Sequence, residues 1–104
     1  MTKVRVEPGA CGLTCLIEVN RTEKYRAMVS LQSECKQITK LAEEITEIDF
    51  LKVMQGAFGQ NHLFQSVPKC KLHQTCVIPT AIMKAVEAEV GMAVKKDIVI
   101  AFIE

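Results

Sequence analysis

Tryptophan is absent from the chain and tyrosine occurs once. The formal net charge is only +1 over 104 residues. There is thus neither the basic surface that binds a phosphate backbone nor the aromatic platform that stacks bases, and no case for nucleic acid as a partner. So small a charge also gives no pull toward an anionic membrane surface. No apolar run approaches the roughly 20 residues of a membrane-spanning helix. The opening Met1-Thr2-Lys3-Val4-Arg5 alternates charged and apolar residues and is no signal peptide. A cytoplasmic location is expected, where the Asn20-Arg21-Thr22 sequon has no glycosylation meaning.

What is present is ordinary globular material, 49% hydrophobic and 24% charged, enough for one domain spanning residues 1–104. Five cysteines stand out. In a reducing compartment clustered cysteines point to metal binding or thiol chemistry rather than to structural disulfides. Their odd number would also leave one thiol over in any disulfide framework.

Periodicity places the cysteines. Lys3 to Glu7 alternates and reads as a half-buried strand, which Pro8-Gly9 stops. Cys15, Ile17 and Val19 share one face of a second strand; Tyr25, Ala27, Val29 and Leu31 share one face of a third. Short links make these an antiparallel meander. From Ser33, a candidate N-cap, the period changes: Ile38, Leu41, Ile45 and Ile48 recur at helical spacing. Asp49 caps a short second helix, Gly56 and Gly59 bound a loop, and Pro68 breaks the stretch 60–74. Pro79 opens a last helix with the stripe Ile82, Ala85, Val86 and Val90, and Gly91 ends it. Residues 97–103 are apolar at nearly every position and are expected to form a buried strand joining the sheet. The expected fold is α+β: a three-stranded antiparallel meander plus a C-terminal strand, packed by two or three helices.

On that map the cysteines fall at element ends. Cys11 and Cys15 lie between the first two strands. Cys35 lies at the start of the first long helix. Cys70, His73 and Cys76 lie just ahead of the last helix. The thiolate is the ligand form, and a helix N-terminus favours it, as Lys69 and Lys71 do for Cys70. The candidate ligands are Cys11, Cys35, Cys70, His73 and Cys76, for zinc in tetrahedral geometry or for an iron–sulfur cluster. Cys15 is either a further ligand or a small core residue. The spacings Cys-x3-Cys and Cys-x2-His-x2-Cys match no standard zinc finger; the strength of the pattern is that three segments can converge at one end of one sheet.

Ala10-Cys11-Gly12 before a hairpin, Cys35 opening a helix after the third strand, and Lys71-Leu72-His73 with Cys76 before Ala81-Ile82-Met83-Lys84-Ala85 are carried in the same order by a known family. In this the chain resembles the NifU/IscU-type iron–sulfur cluster assembly scaffolds. The resemblance implies their fold, a scaffold role, and sulfur-donor or cluster-acceptor proteins as partners. Leu13 stands where that family has Asp, and Gln74 and Thr75 separate a His and a Cys that adjoin there.

Two other functions fit the composition. One is a thiol-redox or persulfide-carrying protein with Cys11–Cys15 and Cys70–Cys76 as exchangeable pairs. The other is an interaction module whose apolar C-terminal strand pairs with a second subunit as a homodimer. No orienting acid or oxyanion site accompanies the Cys/His residues, so an enzyme is not expected.

Overall fold

Alternation sets the sheet. In the computed structural model, which describes residues 1–104, β1 (Thr2–Val6), β2 (Cys15–Arg21), β3 (Arg26–Ser33) and β4 (Glu47–Asp49) form an antiparallel sheet in sequence order. The register pairs Val6 with Cys15 and Cys15 with Ser33, so these three lie in one row across three strands. Cys15, Ile17, Val19, Ala27 and Val29 are buried on one face, while Leu16, Glu18, Asn20, Met28 and Ser30 on the other are exposed. All the helices that matter to the core therefore lie on one side, giving two layers.

Helix α1 (Lys36–Glu44) buries Ile38 and Leu41 against β3. Its N-cap is Cys35, not Ser33; the Ser33 hydroxyl instead accepts the Cys35 backbone N–H at 3.1 Å. The helical stripe was expected to run on through Ile45 and Ile48. The helix ends at Glu44, with Ile45 as C-cap and Ile48 in β4, and both remain buried. Burial is preserved because a helical period and a turn into a strand can bring the same residues to one core.

Asp49 caps α2 (Phe50–Gln55), its Oδ1 accepting from the N–H groups of Leu51 and Lys52. Asn61 caps α3 (His62–Lys69) by accepting from Phe64 N–H at 3.0 Å. Pro68 does not break the stretch early; it lies in the last turn of α3, where the helix has few further N–H bonds to lose.

Helix α4 (Ile78–Glu89) has Pro79 in its first turn and buries Ile78, Ile82, Ala85 and Val86. Gly91, at φ +82, follows the C-cap. Its N–H bonds Ala88 O and that of Met92 bonds Glu87 O, the paired bonds of a Schellman ending.

The fourth strand is β4 and not residues 97–103, which form no strand. Val99 and Ile100 are each 81% exposed. An apolar run becomes a buried strand only beside an edge that takes it, and the run itself, apolar on both faces, does not specify which edge.

Candidate metal centre

The direction of α4 decides where Cys76 goes. Glu89, at the end of this helix, accepts from Thr2 Oγ1 at 2.7 Å and from the Arg21 N–H at 2.9 Å. Thr2 begins β1 and Arg21 ends β2, so the C-terminus of α4 is clasped to that end of the sheet. Twelve helical residues span about 18 Å, close to the roughly 20 Å of a seven-residue strand. The start of α4 thus lies over the opposite end, where the row Val6–Cys15–Ser33 sits. Cys76 precedes that start by two residues, in a turn closed by its N–H to the His73 carbonyl at 3.1 Å.

The same end receives the other thiols. The loop 7–14 joins β1 to β2 there and carries Cys11, which is exposed. Gly9 and Gly12 turn this loop at φ +88 and +70, joined by a Gly12 N–H to Gly9 O bond. Cys35 follows Ser33 by two residues and is half-buried; its Sγ lies 3.2 Å from Gln37 Oε1. Cys15 lies under them on the inner face, fully buried.

Electrostatics agree with this placement. Burial pushes the Cys15 thiol up to about 11, helped by the charges of Cys76 and Cys35. Burial also raises Cys76; the backbone of Ile78 opposes this, and the nearby Cys35 and Cys11 add to it. Cys76 is thus within electrostatic reach of Cys11, Cys15 and Cys35. All five cysteines are free.

Cys70 is elsewhere. It is the C-cap of α3 and is buried. Its thiol is raised first by burial, then by Glu44, with Lys40 and Lys69 opposing. These neighbours belong to α1 and the end of α3, and no other cysteine is among them. His73 is exposed. The structure thus places Cys11, Cys35 and Cys76 toward one end of the sheet with Cys15 on the face beneath, and leaves Cys70 apart, but brings no three of them within reach of a single metal ion. The signal for Cys15 was in the sequence: it shares a strand face with Ile17 and Val19 at the strand's first residue.

As the side chains stand, no three His, Cys, Asp or Glu residues are spaced to hold a metal ion. The donor set suits a thiophilic metal, since it is sulfur throughout and two helices begin beside it. No helix is long and apolar enough to cross a membrane.

No curated protein and no solved structure matches the chain. A family model does match, over residues 2–102, and on that match the chain belongs to a family of unknown function (DUF6951).

Proposed function

We propose that this chain is a non-enzymatic metal-binding protein that holds zinc or an iron–sulfur cluster through Cys11, Cys35 and Cys76 at one end of its sheet. The observation that carries the reading is the direction of α4, which brings Cys76 to the end where the Cys11 loop and the Cys35 N-cap already meet. The chain's β-β-β-α opening and late helix support the likeness to the NifU/IscU-type scaffolds. A scaffold role would give it sulfur-donor or cluster-acceptor proteins as partners. Five free thiols suit a reducing compartment, the cytoplasm.

Two features favour metal over redox exchange. Cys70 and Cys76 have different neighbours, so of the two exchangeable pairs a redox reading offers only Cys11–Cys15 is left. The thiols at that end come from three separate segments, which suits a polydentate site better than one exchangeable pair.

The test is elemental analysis and absorption spectroscopy of protein purified anaerobically without chelator. Near one equivalent of zinc per chain, or iron with visible charge-transfer absorption, is expected. Zinc and iron both far below one equivalent, with no uptake of added zinc and no cluster on reconstitution, would sink the reading. A thiol count that then changes with oxidant would favour a redox or persulfide carrier instead.

A further inference from the structure

We propose that residues 97–103 are an exchange strand: each copy of the chain lays this segment along the free edge of β1 in a second copy, and the two form a symmetric dimer. The pairing does not depend on bound metal, since neither β1 nor residues 97–103 carry a cysteine.

Five large apolar side chains, Ile98, Val99, Ile100, Phe102 and Ile103, stand exposed in one short stretch, Phe102 wholly so. The family match extends through residue 102, so the stretch belongs to the domain that the family shares. In an extended strand Ile98, Ile100 and Phe102 face one way and Val99, Ala101 and Ile103 the other. A strand apolar on both faces is the pattern of one inside a sheet rather than at its margin. Left bare, such a segment is a template for unspecific association.

Strand β1 supplies the place. It is first in the sheet order and pairs only with β2, which leaves one of its edges open. Val4 and Val6 are only half-buried there, while Ile17 and Cys15, their partners on β2, are fully buried. A further strand beside β1 completes those rows. The opposite edge, β4, is three residues long and is flanked by the Arg26 ion pairs with Glu47 and Asp49, so it is too short for a seven-residue partner.

Direction selects a second copy over the chain's own edge. Lys95 Nζ donates to the Met1 carbonyl at 3.2 Å, so the segment leaves the body at the Thr2 end of β1. Laid along its own β1 from there, it runs parallel, with Lys96 toward Lys3 and Glu104 toward Glu7. On a second copy it can run antiparallel, with Lys96 toward Glu7 and Glu104 toward Lys3. That arrangement sets opposite charges together and makes the more stable ladder. Every chain carries both the segment and the edge, so the exchange is reciprocal and closes at two copies. At about 1.45 Å² of extended-chain surface per dalton, seven residues carry on the order of 1,100 Å². Two segments that each lose half of this, with matching losses on two edges, bury on the order of 2,000 Å², the upper end of the range of about 1,200–2,000 Å² for stable interfaces.

The experiment is sedimentation equilibrium of the full chain over about 1–50 μM, with amide hydrogen exchange read on β1. A species of twice the 11.6 kDa chain mass is expected. Ile100→Asp, at a position exposed in the single chain, should keep the wild-type circular dichroism. Its dimer dissociation constant should rise on the order of 100-fold or more, as for loss of a central interface residue. Amides of Thr2–Val6 should exchange faster in Ile100→Asp than in the wild-type dimer. The wild-type mass needs no variant, so a misfolded Ile100→Asp leaves that arm of the test intact. A wild type that stays monomeric at 50 μM would overturn the proposal, as would a dimer that Ile100→Asp leaves undisturbed. A dimer lost in Ile100→Asp with β1 exchange unchanged would overturn the choice of β1 as the docking edge.

Discussion

The Glu89 clasp fixes which end of the sheet Cys76 reaches, so its strength can be worked out and tested. Replacing Glu89 by Ala removes a charged acceptor from the Thr2 hydroxyl and the Arg21 N–H, and an ion-pair partner from the Met1 ammonium 3.5 Å away. Thr2 is buried, so its hydroxyl would be left without a partner or with poor access to water. The Glu89 side chain is only 10% exposed and its bond from Thr2 is partly buried, so that bond is little screened, while the one from exposed Arg21 is screened more. Each hydrogen bond to a charged group contributes about 1.5–3 kcal/mol, so the two together contribute about 3–6 kcal/mol. Part of this is offset by returning the carboxylate's position to water, which leaves a net loss of about 2–3 kcal/mol. With unfolding entropy near 2.1 cal/mol/K per residue, that lowers the thermal midpoint by roughly 9–14 °C.

The pH dependence has a definite sign. The Arg21 N–H, and after it the Thr2 hydroxyl, hold the Glu89 carboxyl below its ordinary 4.5. A carboxylate depressed in the folded state contributes stability above its unfolded value and loses it as the pH falls through the folded value. The difference between wild type and Glu89→Gln in denaturant unfolding should thus be full at neutral pH and shrink steadily below 4.5. A Glu89→Ala cost under about 0.5 kcal/mol, or a Glu89→Gln difference that does not change on acidification, would refute the clasp.

Alkylation mapped by mass spectrometry should modify Cys11 first, because it is exposed, and Cys35 and Cys76 more slowly; Cys15 and Cys70, both buried, should react only once denaturant unfolds the chain. Removing residues 96–104, which form no strand and are exposed throughout, should change the folding stability of the dissociated chain by less than about 0.5 kcal/mol; a loss of several kcal/mol would mean the segment is part of that chain's own folded sheet. Cys70→Ala should cost about 1 kcal/mol for its lost burial and leave bound metal unchanged, and loss of metal would place Cys70 at the site after all.

The strands of the meander were legible because strict alternation, as in Cys15-Leu16-Ile17-Glu18-Val19, commits one face to the core. The last helix was legible because Pro79 and Gly91 mark its ends and its stripe repeats at helical spacing. The same patterns could not say where the helix after β3 stops, since Ile45 and Ile48 are buried either way. Residues 97–103 misled for a related reason: apolar composition states a preference for burial but names no partner. That Cys11, Cys35 and Cys76 lie toward one end of the sheet follows from topology, which short connections already implied; their spacing, which holds no metal as the side chains stand, does not. Separating Cys70 from that group required α3, whose cap at Asn61 and late proline gave no clear helical period, and Lys69 and Lys71 pointed to a favoured thiolate where the thiol is buried and raised.

The most direct test of the central claim is the metal content of anaerobically isolated wild-type chain beside a Cys35→Ser/Cys76→Ser double variant whose fold is verified by circular dichroism. The placement of these two residues at helix starts over one end of the sheet predicts near one equivalent of zinc, or a cluster's iron, in the wild type and essentially none in the variant. Metal retained at wild-type level by the double variant, or absent from both proteins, would contradict it.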